Sequence, residues 1–349
     1  MISATGMAMV RRLTGAATGV CLLLAFGAAG AQTAPSASSS LRQAQGERTA
    51  AYPNRPIRLI VPFSPGGGSD FVGRLIAQKL TEQMGQTVVV DNRSGAASLI
   101  GTEIALRGGP DGYTLLLGDV GLTINLAYYK NAKYDPVKDF DPITVIADTP
   151  YILAVNPSLP YAGNLKDFIA AAKAQPGKLS IGSSGAGSGT HFSGELFRLR
   201  AGLNMIHVPY KGGGAVLADV MAGHIQSTMT TPPAALAFAK AGRLKILAQA
   251  ATKLSPLLPE VPTFAENGVP DVLVSNWYGV LSVGGTPQPV IKRLHEEILK
   301  AIASPDMRER LVSAGLEAAP ITPEQYRKKI TAEVERWKRV VKESGIRTE

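Results

Sequence analysis

Two stretches of this 349-residue chain carry one pattern, and that repetition constrains the fold more than any other feature. Gly66-Gly67-Gly68-Ser69-Asp70-Phe71-Val72-Gly73-Arg74-Leu75 lies over Gly187-Ser188-Gly189-Thr190-His191-Phe192-Ser193-Gly194-Glu195-Leu196. Gly66/Gly187, Gly68/Gly189, Phe71/Phe192, Gly73/Gly194 and Leu75/Leu196 are identical, and Ser69/Thr190 conserve a hydroxyl. Each copy joins a β-rich run to a segment with apolar residues at helical spacing, and a hydroxyl stands near the helix start as a cap candidate. A strand, a Gly-rich turn and a helix, occurring twice, imply two α/β units.

The chemistry of such a turn is specific. The first backbone N–H groups of a helix have no partner within it, and the helix dipole adds about half a positive charge there. Glycine lets an anion come close to those donors. One such turn could be a plain tight connection, whereas a matched pair, one per unit, points to anion binding across a cleft. Other chemistries lack their motifs. Phe71 and Thr190 stand where a third glycine of G-x-G-x-x-G would be needed, and no G-x-x-x-x-G-K-[ST] occurs. Ser183, Ser184 and Ser188 lack the flanking glycines of a nucleophile elbow. Asp70 and His191 occupy matched positions, which suits an acid–base pair but suits ordinary first-turn residues better.

Strands and helices alternate along the chain. Strands are expected at 57–63, 86–91, 113–117, 178–182, 205–210, 225–230, 244–250 and 277–283. Helices are expected near 71–80, 99–107, 164–174, 191–200, 215–222, 232–241, 290–303, 307–314 and 323–343. This order predicts parallel sheets in two units, 52–150 and 151–248. The remainder, 249–349, has too few strands for a sheet and is assigned back to the first unit. Such a discontinuous lobe requires two crossings and leaves a cleft between the lobes.

The N-terminus reads differently. Arg11 and Arg12 precede an uncharged run containing Val20-Cys21-Leu22-Leu23-Leu24-Ala25-Phe26, followed by Ala29-Gly30-Ala31. This is the order of a cleavable secretory leader, 1–31, and the run is short for a bilayer span. Residues 32–51 are polar and small and read as a flexible linker. Removal of the leader leaves no cysteine, since Cys21 is the chain's one cysteine, and lowers the formal charge from +9 to +7. A thiol-free exported protein fits an oxidising compartment. Dispersed positive charge and four scattered histidines argue against nucleic acid or a metal site, and no cofactor is expected.

With these residues in view, the chain resembles the Bug family of periplasmic receptors for tripartite tricarboxylate transporters. The segments RPIRLIVPFSPGGGSD, VVVDNRSGAASLIG, DGYTLLLG, YDPVKDFDPI, SSGAGSGTHF, VPYKGGG and WYGVL carry the resemblance, which runs from Tyr52 to the C-terminus. It implies a type II periplasmic-binding-protein fold, with two α/β lobes joined by hinge strands and a small carboxylate held between the two turns. The implied ligand contacts in the first lobe are Phe63, Ser64, Pro65, Gly66, Gly67, Gly68, Ser69, Asp70, Asn92, Ala96 and Ser98. Those in the second are Ser183, Ser184, Gly187, Ser188, Gly189, Thr190 and His191, with Tyr210 and Lys211 near the rim. The implied partners are the membrane subunits of such a transporter, and a monomer is expected. Asp119 departs from the family's small or neutral residue there; it would repel a second anionic group or pair with a ligand amine. Asn92 either ends its strand or reaches ligand, Lys211 is either solvated or a contact, and Trp277 is either core or cleft wall. An exported two-lobed enzyme and a ligand-sensing subunit remain the alternative functions.

Overall fold

The first strand is IRLIV, whose β-branched and leucine side chains are all buried, as an interior strand requires. The computed structural model describes residues 52–344, 346 and 348, so the leader and linker expected from the sequence lie outside the described residues. β1 (Ile57–Val61) pairs in parallel with β2 (Val88–Asn92) and β3 (Thr114–Gly118). α1 (Gly68–Met84) crosses between β1 and β2, burying Val72, Leu75, Ile76 and Leu80 and stopping at Gly85 in the left-handed conformation. α2 (Leu99–Leu106) connects β2 to β3, and α3 (Gly121–Tyr128) leads on to β4 (Phe140–Pro150).

The chain then changes sheets. Tyr151 separates β4 from β5 (Ile152–Val155), which opens a second sheet with β6 (Ser180–Ser183), β7 (Ile206–Pro209), β8 (Ser227–Thr230) and β9 (Lys245–Gln249). Between them run α4 (Leu165–Ala174), α5 (Gly189–Ala201), α6 (Gly213–Ala222) and α7 (Pro232–Lys240). β10 (Ser275–Val283) and β11 (Glu317–Ala318) rejoin the first sheet, accompanied by α8 (Gln288–Ala303), α9 (Pro305–Ser313) and α10 (Pro323–Ser344). The sheets have the orders β11-β4-β10-β3-β1-β2 and β7-β6-β8-β5-β9.

The sequence predicts parallel sheets; both are mixed. β10 is antiparallel to β3 and β4, and β5 is antiparallel to β8 and β9. The reason is the crossing itself. β1, β3, β6 and β8 end at the cleft, whereas β5 and β10 enter their sheets from it and must run the opposite way. α3 and β4 also escape the sequence reading. β4 is buried along most of its length, so it shows no alternation, and Pro142 and Pro150 argue against a strand.

One hydrophobic cluster packs beneath α1, α8 and α9, and another between α6 and α7. The largest joins the two sheets. Tyr326, Ile330 and Trp337 of α10 are fully buried, and the Trp337 ring meets Phe192 of α5 edge-on, with centroids 5.7 Å apart. The last helix therefore packs on β4 and α3 while touching the second sheet's layer.

Candidate functional site

The ends of β1, β3, β6, β8 and the start of β10 surround a cavity of about 40 Å³. The first sheet's layer contributes Phe63, Gly67, Gly68, Ser69, Asp119, Asn276 and Tyr278; the second contributes Ser184, Gly189, Thr190, Gly213, Thr230, Thr231 and Ala234, with Tyr151 at the crossing. The walls touch. A methyl group on Gly68 would strike Thr231 Oγ1 and Tyr278 Oη, and one on Gly189 would strike Tyr151 Oη and Val120. Tyr278 Oη also donates to Thr231 Oγ1 (3.1 Å), and Tyr129 Oη donates to the Ala186 carbonyl (2.7 Å), closing the cleft with bonds between the layers.

The first turn braces itself with Asp70. Its carboxylate accepts from the Gly66 N–H, Arg74 Nε and Asn92 Nδ2, each at 3.0 Å. Asn92 Nδ2 also donates to the Phe63 carbonyl (3.0 Å). Burial raises the Asp70 carboxyl, but the bonds from Arg74, Gly66 and Asn92 outweigh it and hold it below the usual carboxylate range. Gly67 is the N-cap of α1 and has no side chain to offer, so the N–H groups of the first turn at Gly68 and Ser69 border the cavity without a capping group.

The second turn repeats the device with different atoms. The Gly187 N–H donates to His191 Nδ1 (3.1 Å), the counterpart of Gly66 and Asp70. That bond needs a neutral imidazole. Burial, His207 and Arg198 lower the His191 pKa to about 3, so the requirement is met at neutral pH. His191 stacks on His207 at 4.1 Å. Here the N-cap is occupied: Ser188 Oγ accepts from the His191 N–H (3.2 Å) and donates to the Gly185 carbonyl (2.6 Å). Thr190 Oγ1 accepts from the Ser184 N–H (2.8 Å) and lies 2.9 Å from Ser184 Oγ, so two hydroxyls stand together at the cavity wall.

Among the sequence-named residues, the cavity is lined by Phe63, Gly67, Gly68, Ser69, Ser184, Gly189 and Thr190. Ser64 and Gly66 face the opposing loop, against Gly212 and Gly214 respectively, and Pro65 lies beside Gly214. Asp70, Asn92, Ser188 and His191 direct polar atoms into their own turns, as does Gly187. Ala96 and Ser98 lie in a left-handed run (φ 43 and 88°) that follows Gly95, and Asn125 Nδ2 bonds Ser98 Oγ at 3.0 Å. Ser183 Oγ sits 2.7 Å from His207 Nε2, the spacing of a nucleophile and a base, yet it is buried and outside the cavity lining. Tyr210 donates to Asp219 (2.6 Å) and Lys211 is exposed. Trp277 is buried core whose Nε1 donates to Glu333 (2.8 Å). Strand alternation places its neighbours Asn276 and Tyr278 on the cavity instead. These two, with Tyr151, Thr230, Thr231, Gly213 and Ala234, were missed. The WYGVL stretch marks the right strand, but only its register tells which face is which.

Two mixed sheets, a double crossing and a cleft between matched turns leave the role open, and comparison with known proteins identifies the kind. Residues 72–346 match the model of the tripartite tricarboxylate transporter family receptor. This chain belongs to that family. It is 37% identical to Protein BugT of Bordetella pertussis over 298 residues, 85% of this chain and 91% of BugT. Among solved structures it is similar to R. palustris Rpa4515 with adipate (TM-score 0.82, 35% identity, 85% of this chain, 100% of that one). It is also similar to the periplasmic binding protein BugD (TM-score 0.82, 31% identity, 85% and 100%). The fold is thus that of periplasmic solute-binding receptors. No helix among the described residues is long and apolar enough to cross a membrane.

Proposed function

We propose that this receptor captures a small carboxylate in the periplasm and hands it, unchanged, to the membrane subunits of a tripartite tricarboxylate transporter. The observation that carries this reading is the pairing across one cavity of the uncapped first turn of α1 with the Ser184 and Thr190 hydroxyls. Fixed N–H donors at a helix start favour an anion, and the adipate bound to a family relative supplies the chemical class. In this reading residues 52–150 and 249–349 form lobe one and 151–248 lobe two, supported by the division of strands between the sheets. The protein works as a monomer without nucleic acid or catalysis, after a leader ending near Ala31 has directed export.

The test is a melting series on the mature protein, from Gln32, with small mono-, di- and amino-carboxylates against their amides and alcohols. At one hundred times its dissociation constant a carboxylate should add about 2.7 kcal/mol of stability. Equal stabilisation by amide and acid would sink the carboxylate reading. Mass spectrometry of the released ligand checks the second half: turnover of an added acid would make the protein an enzyme.

A further inference from the structure

Among the described residues lining the cavity, Asp119 is the one carboxylate, and no lysine, arginine or histidine stands with it. It follows β3, where the chain turns into α3, and is only 7% exposed. Its Oδ1 accepts from the Gly121 N–H at 2.9 Å, while Oδ2 has only the Ser69 hydroxyl, at a long 3.4 Å. The groups that face it are the Glu333 carboxylate of α10, which adds repulsion and is itself paired with Lys329, and the phenols of Tyr134, Tyr151, Tyr278 and Tyr326. A buried carboxylate without a counter-charge is costly, and burial accordingly pushes its pKa up to about 7.

We propose that the ligand itself supplies the missing cation: Asp119 Oδ2 accepts from an ammonium group carried next to the ligand's carboxylate, so that the receptor takes α-amino acids or equally compact amino carboxylates and rejects dicarboxylates. This rests on the carboxylate reading above. Position is the argument. Ser69, which bonds Asp119, belongs to the same first turn of α1 that offers N–H donors to the ligand carboxylate. Acceptor and donors are therefore neighbours, and the ligand groups that meet them must be neighbours too, as ammonium and carboxylate are on one carbon of an amino acid. A second carboxylate at Asp119 would set two like charges together where the dielectric is low. The cavity, about 40 Å³, has room for about three water molecules in this closed form, which suits a compact ligand.

The experiment uses calorimetric titration of the mature protein and of Asp119→Asn with the protein α-amino acids, their 2-hydroxy and deaminated counterparts, and dicarboxylates of three to six carbons. The expected best ligand is an amino acid, bound at least about tenfold more tightly than its hydroxy or deaminated counterpart, and Asp119→Asn should abolish that preference. Its affinity should rise from pH 6 to 8 as Asp119 ionises, and the rise should vanish in Asp119→Asn. Asp119→Ser repeats the measurement with a smaller neutral side chain, and the ligand-free melt of each variant checks folding. A best ligand that is a plain, hydroxy or dicarboxylic acid, unaffected or tightened by Asp119→Asn, overturns this proposal and leaves the carboxylate reading standing. So does dicarboxylate affinity that falls as pH rises, because Asp119 would then be donating as a neutral acid. Binding of none of these acids would remove both.

Discussion

The two Gly-rich turns are alike in sequence and unlike in how they work. Both tie the first glycine's N–H to the side chain four residues on, Gly66 to Asp70 and Gly187 to His191. The first uses an anion, itself held by Arg74 and Asn92, and leaves its helix uncapped at Gly67. The second uses a neutral imidazole and caps its helix with Ser188. Both turns line the cavity with the first two residues of a helix, Gly68 and Ser69 or Gly189 and Thr190, since Ser188 takes up the N–H of His191 and not theirs; the second turn adds the paired Ser184 and Thr190 hydroxyls. The glycines that match between the copies fix the backbone path; the residues that differ between them fix what the path offers a ligand.

The largest expected effect tests the shared part. Gly68→Ala and Gly189→Ala each put a methyl group into the closed cleft, against Thr231 and Tyr278 or against Tyr151 and Val120. Each should lower the affinity for the best acid by about 100-fold in calorimetric titration. Gly67→Ala should do little, because the nearest atom to its Cβ is 3.7 Å away. Equal loss at all three positions would deny that the closed cleft is the binding form.

Acid should separate the turns. His191 stays neutral in the fold down to about pH 3 while the unfolded chain takes up its proton near pH 6.5, and His207, lowered to about 4, behaves alike. The stability they contribute at neutral pH is therefore lost as pH falls through this window, by at most about 1.4 kcal/mol per pH unit for each group. Asp70, held below its ordinary value, keeps the first turn braced until pH falls past the usual carboxylate range. Between pH 6 and 4, amide exchange relative to intrinsic rates should quicken at Gly187 before Gly66. The reverse order would mean that the two braces do not differ as described.

The smallest effect comes from converting one turn into the other. Gly67 has the extended backbone (φ −89°, ψ 175°) that an N-cap adopts, so Gly67→Ser can cap α1 as Ser188 caps α5. In urea unfolding the ligand-free protein should gain a few tenths of a kcal/mol. Ligand affinity should hold, because a cap like that of Ser188 takes the Asp70 N–H and leaves those of Gly68 and Ser69. A marked loss of affinity would show that the ligand uses the Asp70 N–H rather than those of Gly68 and Ser69.

The repeat, the β-rich runs and the helical periods by themselves determined that this chain builds two α/β units with a Gly-rich turn at each cleft edge, because local spacing and backbone freedom suffice for that. They also marked the Gly68 and Gly189 positions, whereas the oddity of Asp119 came only from the family resemblance. Strand direction in β5 and β10 was decided only when the chain crossed between sheets, a relation between distant segments that no local pattern encodes. The same holds for the cavity. Tyr151, Asn276 and Tyr278 reach it because register and strand alternation turn them inward, and Trp277 between them is turned into the core. Asp70, Asn92 and His191 have side chains suited to holding a ligand, and tertiary structure spends their bonds on the turns, since a buried polar atom goes to whichever partner packing brings within reach.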